Sequence, residues 1–449
     1  MLEEHHAVGS LLFMYICALY RRLKRDPPVE LDEEKSIEPA INFEKFEKRP
    51  GNFESSEILS DEEKSIEPAI NFETYSKFKK RPGSFETLFL PMKEQNSLEF
   101  FKNTCMNAAM FDSLVSMIKV ELVRSKIPKE ITVEERLAMT LTFLAKGVSC
   151  NYITRVHKLD WVELVRTILL ETCEALWKVL QPIYFAKPTE AKYRELAKGF
   201  LEKWHLPYCV GAVTNEEIIL SHSIRKTEIN HIILMATCDS NYKLTSVSIG
   251  KNGQFSKSSY GHALLGNILA LPGTGQLTEV IPSFPHYFAG DYSFPLLNNV
   301  MRPFPGLELS KRRQIFNYRL SRGHQVIENT LGIIAARWHI FKKPITAKST
   351  ECKKFVLAVC ALHNFIMSND RDHIYCPEKY ADWEDENHII NKGDWRKDFE
   401  NRNPAISHSK CFIQKSSPTA FNQREDLAKY FENSGAVEFQ DEAICAIRS

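Results

Sequence analysis

The sequence predicts an α/β protein in which a mixed sheet flanked by helices follows a helical region and a polar N-terminal arm. Three observations carry that expectation. Apolar runs of strand length cluster between residues 208 and 249, helical periodicity fills 97–182 and 318–340, and the polar N-terminal stretch holds a tandem duplication. With 449 residues, 43% of them apolar and 26% charged, the chain is long enough for a sizeable core in two or three domains.

The arm comes first. DEEKSIEPAINFE at 32–44 recurs unchanged at 61–73, and Arg49-Pro50-Gly51-Asn52-Phe53-Glu54 returns as Arg81-Pro82-Gly83-Ser84-Phe85-Glu86. Two polar copies bury too little surface to offset their own ordering, so residues 1–95 are expected to be an N-terminal helix followed by a disordered arm. From 96 to 204 the pattern is helical. Thr132 with Glu135 reads as a capping box that opens a helix, Lys146-Gly147 ends it, and 152–156 and 160–180 complete a helix-turn-helix outline. A further amphipathic helix is expected over 191–204. Strands are then expected at 208–213, 217–222, 232–237 and 244–249. A polar loop over 250–259, a helix at 260–271, a strand at Tyr287-Phe288 and a long helix over 318–340 follow. The domain 205–369 thus holds the sheet, and 370–449 shows little periodicity before 424–432, predicting a loosely ordered tail.

The most specific motifs lie inside the sheet domain. Gly290-Asp291-x-x-Phe294-Pro295-Leu296 follows the apolar run His286-Tyr287-Phe288-Ala289. Phe316-Asn317-Tyr318-Arg319-Leu320-Ser321-Arg322 and Val326-Ile327-Glu328-Asn329 come next, then Arg337-Trp338-His339-Ile340-Phe341 and Cys360-Ala361-Leu362-His363-Asn364-Phe365. An aspartate at a strand end and a glutamate on a one-sided helix are rigidly mounted carboxylates that can share a divalent metal. Each has a plainer alternative. Glu328 can be a solvated-face charge, and Asp291 can cap a helix beginning near Phe294-Pro295. Asp239, within Asp239-Ser240-Asn241, reads as a strand-end turn residue.

Taken together with Tyr208-Cys209-Val210-Gly211-Ala212-Val213 and Cys238-Asp239-Ser240-Asn241-Tyr242-Lys243 upstream, these motifs resemble the transposase of PIF/Harbinger DNA transposons and the nucleases derived from it. The resemblance runs from about residue 97 to 369. It implies a ribonuclease H-like DDE nuclease fold that cuts DNA with clustered acidic residues and Mg²⁺ or Mn²⁺. Two such cations about 4 Å apart polarise the phosphate, activate the nucleophile and stabilise the leaving oxygen. It also implies DNA as partner and a Myb-like DNA-binding protein as a second one.

Carried over residue by residue, Asp291 and Glu328 are the catalytic and metal-binding positions, whereas two acidic positions of the family are replaced. The first metal aspartate is Thr214 here. A second acidic position, after Asn252-Gly253-Gln254-Phe255-Ser256, is Lys257. A hydroxyl and an ammonium in place of carboxylates weaken or abolish metal binding, so the expectation is a nuclease fold with impaired or lost endonuclease activity. The alternative is an active enzyme in which Glu216, two residues from Thr214 and on the same face of the strand, supplies the missing carboxylate. The expected turn of the helix-turn-helix reads His157-Lys158-Leu159-Asp160-Trp161-Val162-Glu163, where the family carries Ser and Thr donors, so a structural or protein-contact use of this helix stands beside DNA reading.

Net charge is only +1, but it is unevenly spread. Residues 301–350 hold ten Lys and Arg against two Glu, a local excess of +8. Within it Lys311, Arg312, Arg313, Arg319, Arg322, Lys342 and Lys343 are the expected DNA contacts, with a solvated basic face as the alternative. Eleven cysteines without a Cys-x-x-Cys pair signal neither a zinc knuckle nor a disulfide framework, and Cys352, Cys360 and His363 read as core. The apolar run 8–20 is too short to span a bilayer and is followed by Arg21-Arg22-Leu23-Lys24-Arg25. With the Lys77–Arg81 cluster, that basic segment suggests nuclear import, the cytoplasm being the second compartment, and no stable membrane anchor. Oligomeric state is left open.

Overall fold

The structure, a computed structural model, describes residues 83–123, 125, 127–221, 231–251, 259–266, 268–386, 388–399, 405–408 and 416–446. The duplicated arm up to residue 82 and Lys257 lie outside them. Residues 78–445 form one compact unit. No helix among the described residues is long and apolar enough to cross a membrane.

The helical half begins earlier than expected. A π-helical turn at Phe85–Phe89 leads into α1 (Leu90–Gln95), α2 (Ser97–Thr104) and α3 (Ala108–Leu122). Phe85 and Phe89 are buried, and the Phe89 ring packs on Phe100 and Phe111, so the end of the second repeat is part of the core rather than of a free arm. Next come α4 (Val133–Lys146), α5 (Cys150–Val156), α6 (Val162–Tyr184) and α7 (Glu190–Trp204). Thr132 caps α4 by accepting from the Glu135 amide at 3.2 Å. Glu135 itself turns inward and meets His157 at 3.2 Å, both buried. Gly147 ends α4 in the left-handed region, φ 60°, where a side chain would also collide with the His339 carbonyl.

The strands are β1 (Cys209–Ile219), β2 (His231–Cys238), β3 (Leu244–Lys251), β4 (Tyr287–Ala289), β5 (Val300–Met301) and β8 (Ile406–His408). They form one mixed sheet in the order β3-β2-β1-β4-β5, with β8 joining β1. β1, β2 and β3 are antiparallel neighbours, while β4 runs parallel to β1 and to β5. The two strands expected at 208–213 and 217–222 are one. Each residue of Thr214-Asn215-Glu216 pairs with β2, which overrides the turn preference of Asn215. Conversely, α8 (Ser259–Leu265) stops before the expected 271, and Gly266 closes its last turn by donating its amide to the His262 carbonyl.

Helices cover both faces of the sheet. On one, Tyr193, Leu196 and Ala197 of α7 and Leu264 of α8 pack on Val210, Val213, Met235 and Phe288. Phe288 is 1% exposed, and truncating it to alanine in so closed a cluster costs about 3–5 kcal/mol. On the other face lie α9 (Lys311–Arg337) and α10 (Ser349–Asn369). Asn364 fixes α10 to β3, donating to the Leu244 carbonyl at 2.7 Å and accepting from its amide at 2.8 Å. His363 engages Tyr375 Oη and the Tyr242 carbonyl. α6 lies along α10, with Lys354 reaching Glu174 at 2.9 Å.

The segment expected as a loose tail is built into this unit. It carries a two-stranded pair, β6 (Trp383–Glu384) with β7 (Ile390–Asn391), then α11 (Trp395–Asp398), β8, α12 (Pro418–Glu432) and α13 (Gln440–Ala446). Ala420, Leu427, Ala428 and Phe431 form the buried stripe of α12, which packs on α9. Asn329 of α9 accepts from Trp395 Nε1 at 2.8 Å, and a side chain at Gly332 would run into that same indole.

Candidate functional site

The sheet sets where the candidate residues meet. β1 and β4 run parallel with Gly211 opposite Phe288 and Ala212 opposite Ala289; Thr214 follows that last pair by two residues along β1, and Asp291 follows it by two residues in the turn after β4. The chain leaves β1 toward β2 on one side and β4 toward β5 on the other. The carboxyl ends of these two strands therefore flank the point where strand order reverses, the place at which open α/β sheets bind ligands. β8 occupies the same edge of β1 beyond β4, pairing Glu216 with His408 and Ile218 with Ile406.

The face presented to α9 follows from alternation. Cys238 is hydrogen-bonded to Thr330 of α9 and pairs across to Ala212, so Thr214 and Glu216, two and four residues on, share that face. Their side chains touch. The Thr214 hydroxyl donates to Glu216 Oε1 at 3.2 Å, with 1% and 5% of the two residues exposed. The sequence argument that Glu216 lies on the Thr214 side thus agrees with the geometry.

Glu328 is tied to the same strand through a residue that the sequence reading did not single out. His324, one turn earlier on α9 and buried, directs Nε2 to the Val213 carbonyl at 3.2 Å and Nδ1 to Glu328 Oε1 at 3.5 Å. A carbonyl can only accept, so Nε2 carries the hydrogen. The Nδ1 contact is then an ion pair when the ring holds a second proton. The i, i+4 spacing of His324 and Glu328 was the signal available for it.

Asp291 is held in a turn. Its Oδ1 accepts from the Ser293 amide at 2.9 Å and from the Ser293 hydroxyl. The helix expected at Phe294-Pro295 is absent, because the chain turns at once into β5, so Asp291 caps a turn and not a helix. Asp239 is a turn residue as expected, accepting from the Asn241 and Lys243 amides at 2.8 and 3.0 Å. Burial pushes its carboxyl up, and those two amides oppose the shift.

Residues 220–364 match the family model of the DDE superfamily endonuclease. That is about a third of the chain. The match supports a transposase-derived DDE nuclease over that span, which contains Asp291 and Glu328 and begins just past Thr214 and Glu216. No curated protein and no solved structure matches the chain.

DDE endonucleases generally use divalent cations, which need several converging oxygen donors. Among the described residues, no group of three or more His, Cys, Asp or Glu side chains is placed to hold a metal ion. Glu216 Oε1 is bonded to a threonine, Glu328 Oε1 faces a histidine and Asp291 Oδ1 holds its own turn. The donor set present among these residues does not fit a two-metal centre.

The basic stretch expected to contact DNA needs the larger correction. Arg319 and Arg322 are turned inward, at 1% and 2% exposed. Arg319 donates to the Gly435 and His205 carbonyls and to Gln440, and lies 4.4 Å over the Phe431 ring. Burial lowers its pKa to about 10, which leaves it charged at neutral pH. Arg322 grips Glu384 with two bonds of 2.6 and 2.7 Å and lies over Phe439. At the first turn of α9, Lys311 pairs with Asp441 at 2.8 Å, Arg312 with Glu432 at 2.6 Å and Arg313 with Glu425 at 2.7 Å. Lys342 is half-buried, and burial lowers its pKa; Lys343 is exposed. Counting charge in a window of sequence could not reveal carboxylates that arrive 112 to 130 residues later.

Proposed function

We propose that this chain is a transposase-derived protein of the PIF/Harbinger kind that keeps a ribonuclease H-like nuclease frame, engages DNA in the nucleus and has lost most or all strand cleavage. The observation that carries the reading is Thr214. It stands at the reversal point, facing α9, with a neutral hydroxyl spent on Glu216 where metal-dependent cleavage needs a carboxylate. Losing one such ligand from a two-metal centre costs several kcal/mol of transition-state stabilisation, so turnover falls by orders of magnitude. Support for DNA as partner comes from the endonuclease match and from the cations left exposed at Lys343 and around the first turn of α9. A Myb-like protein as a second DNA-binding subunit is part of the same reading.

The second reading, an active Mg²⁺- or Mn²⁺-dependent endonuclease, is favoured by one observation, the buried Glu216 carboxylate beside Thr214. Supercoiled-plasmid nicking in Mn²⁺ separates the two. The inactive reading expects background nicking by the wild type, Asp291→Asn and Glu216→Gln alike; robust nicking abolished by both substitutions establishes the active one.

A further inference from the structure

The C-terminal helices place one carboxylate on each of three consecutive cations. Glu425 and Glu432 are seven residues apart on α12, which sets them on one side of the helix. They meet Arg313 and Arg312, and Asp441 of α13 meets Lys311. The cations retain 40–59% of their side-chain exposure and the carboxylates 30–56%. The two helices themselves are firmly seated, with Leu427, Ala428 and Phe431 fully buried and Gln440 and Ile444 nearly so. Charges held at such a surface exchange partners without unfolding anything. Each of these cations, in the first turn of a long helix, is already satisfied by an oxyanion of the charge that a phosphate would bring.

We propose that α12 and α13 act as an internal stand-in for nucleic acid, holding the first turn of α9 neutral so that a phosphate backbone docks there only by displacing Glu425, Glu432 and Asp441. The proposal rests on the DNA-binding reading for its ligand and adds to it an autoinhibitory contact. Polyanion affinity is then set by competition within the chain, and the wild type binds duplex DNA weakly with a shallow dependence on salt.

The test compares the full-length wild type with Glu425→Gln/Glu432→Gln/Asp441→Asn, which keeps the acceptor atoms and removes the charges. A control, Glu190→Gln/Glu195→Gln/Glu202→Gln, removes three paired carboxylates of somewhat greater exposure from α7. Binding of a fluorescent 30-base-pair duplex and retention on heparin are measured across salt. The C-terminal variant is expected to bind duplex about tenfold or more tightly, with a log–log salt slope steeper by about 2–3, since each neutralised phosphate contributes about 0.9. Adding Lys311→Gln/Arg312→Gln/Arg313→Gln should cancel the gain. An unchanged variant, or an equal gain in the α7 control, overturns the internal competitor. If heparin retention rises while duplex affinity stays nil, the competitor stands and the DNA reading falls. If the wild type already binds duplex tightly and the variant adds nothing, the DNA reading stands and the competitor falls.

Discussion

The first turn and the middle of α9 solve the same problem in opposite ways. In the middle, His324 and Thr330 find partners on strands whose order fixes where they are, and the largely buried Glu328 meets His324 one turn away. At the first turn, Lys311, Arg312 and Arg313 remain exposed and are matched by carboxylates from the far end of the chain. The contrast separates burial from charge. A buried polar residue without its partner costs its full desolvation, whereas an exposed ion pair contributes about 0–1 kcal/mol. Mutations should therefore hurt stability in the interior of α9 and change polyanion binding at its first turn.

The largest effect is expected at Arg319. Arg319→Met strands one buried and two half-buried acceptors and removes the stacking on Phe431, and should lower unfolding free energy by about 3–5 kcal/mol in urea denaturation. A loss below about 1 kcal/mol would place Arg319 with the surface residues.

Thr214→Asp comes next. It sets a second carboxylate against the buried Glu216, and like charges at that distance should cost about 2–4 kcal/mol without metal. Mn²⁺ should recover little of that loss in the single variant, should raise the melting temperature clearly once Lys257→Asp is added, and should leave the wild type unchanged. An equal rise in the wild type would mean that the wild-type centre already holds the ion.

A pH dependence should follow from His363. Burial lowers its pKa to about 4 against an ordinary 6.5. Between those values the unfolded chain binds a proton that the native ring refuses. Stability is thus full above about pH 6.5 and falls by up to about 1.4 kcal/mol per unit as pH drops toward 4, where the loss levels off. His205, His286 and His339 are shifted in the same direction by burial. Chemical denaturation across this range should show a shallower slope in His363→Gln. The smallest effect is expected from Arg312→Gln, whose pair with Glu432 is half-exposed; its stability should change by less than about 1 kcal/mol.

Local pattern made much of this frame readable. Thr132 and Gly147 bound α4 because a cap and a left-handed glycine act within one turn of chain. Glu216 could be assigned to the Thr214 face because strand alternation is fixed by covalent geometry. What was not legible depended on distant partners. The tail read as loose because its stripe of Ala420, Leu427, Ala428 and Phe431 means little until α9 is there to receive it. Arg319 and Arg322 read as DNA contacts because nothing near them in sequence announces Gln440 or Glu384. The break expected within β1 failed for a related reason: pairing with β2 carries the strand straight through Thr214-Asn215-Glu216.

Calorimetric titration of Mn²⁺ into the wild type and into Thr214→Asp/Lys257→Asp tests the central claim, that the fold of a metal nuclease is kept while its ligand set is broken. The account predicts no saturable binding by the wild type up to millimolar metal and clear binding by the double variant, with either single change giving little. Tight wild-type binding of two equivalents, lost in Glu216→Gln, would contradict it.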